Sequence, residues 1–599
     1  MANERKTEII VRSHFEKYAS FINVEEQISD NIKIDKLLKT ASKKAHGKGF
    51  PEFIISYNSN YDLIIVIECK HDGSKHESLN HDKYDKYAVD GALLYASYLS
   101  KDFDVLAIAV SGASIQNLKV SHFLHLKGEK KASPIFGNSL LSPHDYLNGY
   151  LKSPEKFRQD YNTLLEFTKK LNEKLHTYKI LESQRSLLIS CVLISLENEG
   201  FKKSYKSQKT PKNLATLLVQ TVSDELESAN ISGKKLENLN IQFGFIKTDT
   251  SLSSRPNILK ELIDEIDENI NQFIKTHEYF DVLGQLYIEF LRYANSDKGL
   301  GIVLTPPHIT ELFAELAQVN KDSIVYDNCT GTGGFLISAM KKMIEDAKGD
   351  QDKIREIKST KLIGVEYQAH IFALAVSNMY IHQDGKTNII NGSCFDEDII
   401  SQIKEKRPTV GVLNPPYKAD KKTDTDELEF ILNNLNCLVS GGTCVAIVPM
   451  QSALAQVGKV YELKKKLLDL HTLEAVLSMP NELFANSNVG VVSCVMIFTA
   501  HKPHSKHKET FFGYYKEDGF VKRKSQGRVD CYGRWEDIKE KWITNYINRK
   551  TESGFSTNRI VTANDEWCAE AYMDTDFTKI SEVDFISEIK KYVAFKVLN

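Results

Sequence analysis

At 599 residues the chain exceeds what one hydrophobic core usually supports, so roughly three or four domains are expected. Its 42% hydrophobic and 26% charged composition is that of an ordinary globular protein, and a net charge of −3 excludes a global electrostatic attraction to nucleic acid. Any DNA-binding surface must be local or supplied by another subunit. No apolar run approaches the roughly 18 residues of a membrane span, and MANERKTEII has no signal-peptide core, so a cytoplasmic protein without a membrane partner is expected. Nine singly spaced cysteines, none in a CxxC pair, point to reduced thiols and away from structural zinc.

Helical patterns over 4–18 and 32–45 are followed by strands near 52–57 and 62–69, a helix near 84–99 and a strand over 105–110. Long, glycine-poor helical stretches dominate 155–290. Beyond about 300, strands read at 323–327, 362–366, 388–391, 409–413, 443–448, 474–478 and 491–498, with helices between them. That alternation predicts a mostly parallel, doubly wound sheet. After about 510 the sequence turns polar and irregular before a last helix near 581–596.

Three strand ends in this second region carry chemistry. Ile324-Val325-Tyr326 runs into Asp327-Asn328-Cys329-Thr330-Gly331-Thr332-Gly333-Gly334, a glycine loop that can bring backbone N–H groups against a ligand. It lacks the lysine of a phosphate-binding P-loop, which disfavours an ATPase. The next strand ends in Glu366, placed to bind the two hydroxyls of a ribose. Val410 to Leu413 ends in Asn414-Pro415-Pro416-Tyr417. The Asn414 side-chain oxygen and the Pro415 carbonyl can accept both N–H groups of a planar amine while Tyr417 stacks on its ring. The prolines fix the backbone that presents them. A base within a duplex would first have to be flipped out.

Asp327 to Phe335, Glu366 and Asn414 to Tyr417 resemble the γ-type, S-adenosylmethionine-dependent adenine-N6 DNA methyltransferases. Upstream, GIVLTPPHI over 301–309 resembles the segment preceding the donor site in type I modification subunits, which implies that Thr305 and Pro306 contact the methionine end of the donor. Asp327, Thr330, Gly331 and Gly333 would line the donor, and Asn414 would border both donor and base. Two departures stand out. Asn328-Cys329 replaces the usual Pro-Ala or Pro-Pro, and Asn391-Gly392-Ser393 replaces an Asn-Gly-Asp whose carboxylate binds the donor's adenine amine. Ser393 or Asp396 is the expected substitute.

The first region ends its two strands in charge: Pro51-Glu52 opens one, and Glu68-Cys69-Lys70 closes the other. Glu52, Glu68 and the Cys69 carbonyl form an oxygen-ligand set for Mg²⁺, and Lys70, on the same face as Glu68, can orient a water or stabilise phosphorane charge. This is the PD-(D/E)xK nuclease arrangement. With NERKTEIIVRSHF and KYAVDGALLYASYL it resembles the nuclease end of BcgI-like type IIB restriction–modification enzymes, in which one subunit cuts and methylates. In that fold the first helix often adds an acid to the metal site, making Glu8, and after it Glu26, candidates.

The resemblance implies a multidomain α/β protein: a PD-(D/E)xK nuclease-like domain (1–155), a helical connector (156–285), a Rossmann-like class I methyltransferase domain (286–510) and a small C-terminal helical tail (511–599) docking a specificity subunit. The expected function is methylation of adenine N6 in double-stranded DNA and Mg²⁺-dependent cleavage of unmodified DNA, in a bacterial or archaeal hetero-oligomer. Only about ninety residues follow 510, fewer than a target-recognition domain commonly needs, so recognition is expected from a separate subunit. Two alternatives remain open: modification only, with a non-cleaving nuclease-like domain, or methylation of protein glutamine, whose planar amide suits the same Asn-Pro-Pro-Tyr. His71, His76 and His81, five apart, fit no zinc motif and read as loop residues; KPHSKHK over 502–508 reads as a solvated basic loop; and Phe511-Phe512 reads as core.

Overall fold

A computed structural model describes residues 5–43, 47–59, 63–231, 233–291, 303–384, 388–418, 424–485, 490–523, 527–574 and 581–598. Residues 301 and 302 of the expected donor segment, and 575–580 of the tail, lie outside the described residues. The chain folds as two compact units, Met1–Asn162 and Thr163–Asn599.

The first unit is built on a mixed sheet ordered β1 (Ile22–Glu25), β2 (Phe53–Tyr57), β3 (Leu63–Lys70), β4 (Asp104–Ser111), β5 (Lys119–His125) and β6 (Ser133–Pro134). β3 and β4 are parallel and buried along their whole length, which is why both read as unbroken apolar runs rather than alternating ones. Alternate residues feed two cores. Leu63, Ile65, Ile67 and Cys69 pack with Val11, Phe15 and Tyr146, whereas Ile64 and Val66 pack with Val89, Ala92 and Tyr95 of the helix Ala88–Leu99. Period two then places Glu68 and Lys70 on the second of these faces.

The second unit contains a nine-stranded sheet. Its strands are β7 (Val325–Asp327), β8 (Leu362–Glu366), β9 (Asn388–Asn391), β10 (Val410–Leu413), β11 (Thr443–Pro449), β12 (Thr472–Ser478), β13 (Ser493–Thr499), β14 (Glu509–Tyr514) and, after the small β15–β16 hairpin (Val521–Arg523 with Gly527–Val529), β17 (Ser556–Ile560). The order is β17-β14-β12-β13-β11-β10-β7-β8-β9. β11, β10, β7, β8 and β9 run parallel, and β13 lies antiparallel between β11 and β12. The chain winds outward from β7 to β9, then returns to the other side of β7 as β10. That reversal opens a crevice at the carboxyl ends of β7 and β10, where open α/β sheets take their ligands.

Two expectations need correction. Residues after 510 are not simply a helical tail: β14 and β17 are strands of the main sheet, and Phe511 and Phe512 are core residues. Neither strand shows a period-two alternation: β14 is an inner strand whose adjacent Phe511 and Phe512 are both buried, and β17, at the edge of the sheet, is mostly polar. The region also packs on the helix Pro307–Leu316, where His308 stacks on Phe520 at 3.9 Å and approaches Asp518 at 3.3 Å, while Arg528 pairs with Asp518 at 2.6 Å. Second, the helices after Thr163 are part of the second unit rather than a separate connector. Glu182–Ser195, buried along most of its length, packs against Ala369–Ile381 beside β8, and Tyr380 donates to Glu225 at 2.6 Å. The helices Trp535–Ile547 and Glu582–Leu598 match the helical tail, and the second exposes Val583, Phe585, Ile586, Ile589, Tyr592 and Val593. Among the described residues no helix is long and apolar enough to cross a membrane.

Candidate functional site

Asp327, Glu366 and Asn414 end, or directly follow, three neighbouring parallel strands and so share one edge of the second sheet. The loop after β7 turns through Gly331 (φ 55°) and Gly333 (φ 91°), left-handed positions that glycine takes without strain. Gly331 N donates to Glu366 Oε2 at 2.9 Å, and Gln368 N donates to Glu366 Oε1 at 2.8 Å. Each carboxylate oxygen keeps a lone pair, so two hydroxyls can still be accepted. Burial nonetheless raises the Glu366 carboxyl above its ordinary range, against the pull of those amides. Asp327 is fully buried; its Oδ1 accepts Cys329 N at 2.9 Å, its Oδ2 has no hydrogen-bond partner, and burial pushes its carboxyl up to about 8.

Asn414 has a fixed orientation. Its Nδ2 donates to the Val303 carbonyl at 2.9 Å and to Thr305 Oγ1 at 3.0 Å. A carbonyl only accepts, so the amide nitrogen must face Val303 and the oxygen must face away. Asn414 Oδ1 is buried with no hydrogen-bond partner, an acceptor held ready. Pro415 is buried and Pro416 exposed; Tyr417 meets Phe484 edge-on at 5.7 Å. The Thr305 hydroxyl, having accepted from Asn414, still has its own proton to give.

The two departures have different accounts. Asn328 belongs to a buried amide network: its Nδ2 donates to Phe430 O and Asn433 Oδ1, both at 2.9 Å, and its Oδ1 accepts Asn434 Nδ2 at 3.2 Å. Gly411 makes room for Asn434, since a Cβ there would collide with its amide. The Ser393 hydroxyl accepts Phe395 N at 3.2 Å, and Asp396 is an exposed carboxylate at the start of the helix Glu397–Glu405. Two exposed aromatics at this edge, Tyr367 and Phe395, were missed by the sequence reading, because neither belongs to a spaced motif.

In the first unit the register Phe53↔Ile67 and Ile54↔Val66, continued by one residue, puts Glu52 across from Glu68. Gly91 of the helix above leaves space for the pair: a Cβ there would lie 3.0 Å from Glu68 Cδ. Glu68 is fully buried, and its Oε1 accepts Lys70 Nζ at 3.0 Å and a short contact from Lys43 Nζ. Its Oε2 has no hydrogen-bond partner. Burial and the neighbouring Glu68 push the Glu52 carboxyl well above its usual range. For Glu68 burial acts in the same sense, but hydrogen bonding with Glu52 and the Lys43 and Lys70 ammoniums outweigh it, and the carboxyl stays low. An unpartnered buried oxygen, a second carboxylate opposite it and the Cys69 carbonyl fit a hard divalent cation. Lys43, which the sequence reading did not select, lies 4.0 Å from Glu52 and over the Tyr95 ring.

The two candidates for a further acid, Glu8 and Glu26, are placed differently. Glu8 lies one residue from Thr7, whose hydroxyl donates to Lys70 O at 3.3 Å and Gly112 O at 2.7 Å, and its charge acts on Cys69. Glu26 pairs with Arg12 at 2.6 Å instead. His76 bonds Ser111 and Ser121 while His81 bonds Glu77, so the three histidines share no ligand set. Among the described residues no group of three or more His, Cys, Asp or Glu is arranged around one metal position.

Residues 278–598, more than half of the chain, match the N-6 DNA methylase family. The chain belongs to that family. It is 32% identical over 634 residues to the "type II restriction enzyme and methyltransferase RM.BcgI" of Heyndrickxia coagulans, spanning 100% of this chain and 97% of that protein, which makes it a BcgI-like N-6 DNA methylase. It is also 27% identical over 397 residues to the MpnII methylase subunit of Mycoplasma pneumoniae, covering 59% of this chain and 68% of that one. A solved chain of a type I restriction–modification complex aligns with a TM-score of 0.48 at 17% identity, over 74% of this chain and 96% of its own. This N-6 DNA methylase is thus an α/β adenine-N6 DNA methyltransferase of restriction–modification type that uses S-adenosylmethionine.

Proposed function

We propose that the chain is a bifunctional restriction–modification subunit: it transfers a methyl group from S-adenosylmethionine to adenine N6 in DNA and cleaves unmodified DNA with Mg²⁺. The observation that carries the methylation chemistry is the Asn414 amide, locked at nitrogen by Val303 and Thr305 with its oxygen unpartnered. That oxygen and the Pro415 carbonyl accept the two N–H groups of a flipped adenine. Accepting both pulls the nitrogen lone pair out of conjugation and stabilises positive charge as the C–N bond forms and the C–S bond breaks. Tyr417 provides the stacking face. Glu366 takes the donor ribose, Asp327 and the loop from Thr330 to Gly333 line the donor, Thr305 and Pro306 contact its methionine end, and Ser393 or Asp396 takes its adenine amine.

Cleavage is assigned to Glu52, Glu68, Lys70 and the Cys69 carbonyl, with Glu8 as a further acid. The carboxylates and carbonyl would hold Mg²⁺, which supplies Lewis acidity to the phosphate. Lys70 orients the attacking water and balances the charge of Glu68. Supporting this reading are the antiparallel register that sets Glu52 opposite Glu68 and the full-length likeness to a protein named as both restriction enzyme and methyltransferase. Sequence recognition is assigned to a separate specificity subunit, docking in part on the exposed apolar face of Glu582–Leu598.

The test is to co-express the chain with its neighbouring open reading frame and supply S-adenosylmethionine and Mg²⁺, mapping methylated adenines and cut ends on the same DNA. Both marks at one recognition sequence are expected. Methylation without cuts would leave a modification enzyme alone; label transferred to protein and none to DNA would replace both assignments with glutamine methylation.

A further inference from the structure

The glycine loop is held from behind by a residue outside every motif the sequence displays. Asp281 lies just ahead of the helix Val282–Leu291, in the region expected to be a connector. Its Oδ1 accepts Asn378 Nδ2 at 2.6 Å and Gly284 N at 2.8 Å; its Oδ2 accepts Thr332 Oγ1 at 3.0 Å. The same Asn378 Nδ2 donates to the Thr332 carbonyl at 2.9 Å. Thr332 is therefore gripped at its hydroxyl by Asp281 and at its carbonyl by an amide that Asp281 orients. One residue earlier, Phe280 O accepts His382 Nε2 at 3.1 Å, tying this turn to the end of the helix Ala369–Ile381.

Space around the carboxylate is kept clear. A Cβ at Gly334 would come 2.9 Å from Asp281 Oδ2, and one at Gly284 would collide with the carboxylate itself. Gly334 opens the helix Gly334–Asp346, so the carboxylate also sits at the positive end of that helix. The loop then has two acidic anchors. Glu366 takes Gly331 N from the strand side, and Asp281 takes Thr332. Gly331 and Gly333 on either side of Thr332 have no side chains to resist a change of direction, so Thr332 is where the loop's course can be set.

We infer that Asp281 is a positioning residue for donor binding: through Thr332 and Asn378 it fixes the glycine loop in the course that receives S-adenosylmethionine. The inference rests on the reading of this loop and Glu366 as the donor site. Charge-assisted hydrogen bonds to a pre-set carboxylate are stronger than neutral ones, so the loop is ordered before the donor arrives and the donor does not lose affinity in ordering it.

The test compares full-length Asp281→Ala, Asp281→Asn, Thr332→Val and Glu366→Ala by calorimetric titration with S-adenosylhomocysteine and by steady-state methylation. Asp281→Ala is expected to weaken binding by about tenfold or more and to raise KM for the donor while KM for DNA stays within about twofold, a split that general destabilisation would not produce. Asp281→Asn, which keeps one acceptor oxygen, should recover part of the affinity, and Thr332→Val should lose about threefold to tenfold. If Glu366→Ala abolishes binding but folded Asp281→Ala and Thr332→Val bind like the parent, Asp281 has no positioning role and the donor site stands. If Glu366→Ala binds like the parent, the donor-site reading falls and this inference falls with it. Should Asp281→Ala fail to fold, Thr332→Val decides alone, because it removes one hydroxyl and leaves Asp281 in place.

Discussion

Asn414 and Thr305, 109 residues apart in the chain, meet through a hydrogen bond of 3.0 Å from the amide nitrogen to the hydroxyl. Two segments read separately as a base-binding turn and a donor-binding turn thus form one device. Thr305→Val leaves the Val303 carbonyl to hold the amide, so one of two anchors is lost. A typical net hydrogen bond of about 1 kcal/mol corresponds to about a fivefold slower methyl transfer in a single-turnover assay. Asn414→Asp is expected to abolish transfer, since a carboxylate beside the Val303 carbonyl would turn away or take a proton. A Thr305→Val rate equal to the parent would show that Val303 suffices.

Asp327 predicts how donor affinity depends on pH. Burial raises its carboxyl to about 8, so the empty site holds it protonated at neutral pH. The donor is cationic, with an ammonium and a sulfonium, and favours the ionised form, so binding at pH 6 must expel a proton. Affinity should therefore rise with pH, by at most about tenfold per unit, up to about pH 8. Above that it falls again as the donor's own α-amino group, near 7.8, loses its charge. Titrations from pH 6 to 9 would check this. Asp327→Asn should flatten the rising limb; a rising limb unchanged in that variant would assign the proton elsewhere.

Much of this was readable from residue order, and the remainder was hidden for physical reasons. Asp327, Glu366 and Asn414 announce themselves because each ends an apolar strand, and β7 to β13 all fall within a few residues of the patterned runs. Asp281 and Asn378 do not. Each lies in a helical region whose pattern is set by packing, and only the fold brings them to Thr332. Lys43 was likewise invisible: the pattern places it in a helix over 32–45, whereas the helix ends at Leu38 and the register of β2 against β3 sets Glu52 and Glu68 beside it. The strands β1 and β5 escaped because only one face of each is buried, and β14 because adjacent Phe511 and Phe512, buried on opposite faces, give no alternation in so short a run.

The two activities should separate by mutation. Lys70 and Asn414 belong to different compact units, so Lys70→Ala is expected to abolish Mg²⁺-dependent cleavage and leave methylation at the parental rate, with Asn414→Ala doing the reverse. Both assays run on the same plasmid carrying the recognition sequence. Loss of both activities in folded Lys70→Ala would overturn the division of labour.

Lys43 gives a prediction about metal and stability. Its ammonium contacts Glu68 Oε1 and lies 4.0 Å from Glu52, so it balances the charge of a fully buried carboxylate. Removing one partner of a buried pair leaves the other uncompensated, at a cost of about 3–5 kcal/mol where no other cation serves. Here Lys70 also reaches Glu68 Oε1, at 3.0 Å, so the loss for Lys43→Met should lie below that range. A divalent cation held by Glu52 and Glu68 would restore the missing positive charge, and a ligand that binds only the folded state stabilises by mass action. Thermal melts of Lys43→Met are therefore expected to begin well below the parent in EDTA and to converge on it as Mg²⁺ is raised. A double variant that also carries Glu68→Gln, which removes the buried carboxylate that the cation would bind, should show no such convergence. A gap between Lys43→Met and the parent that stays constant across the Mg²⁺ series would mean that the carboxylate pair is not where the metal binds.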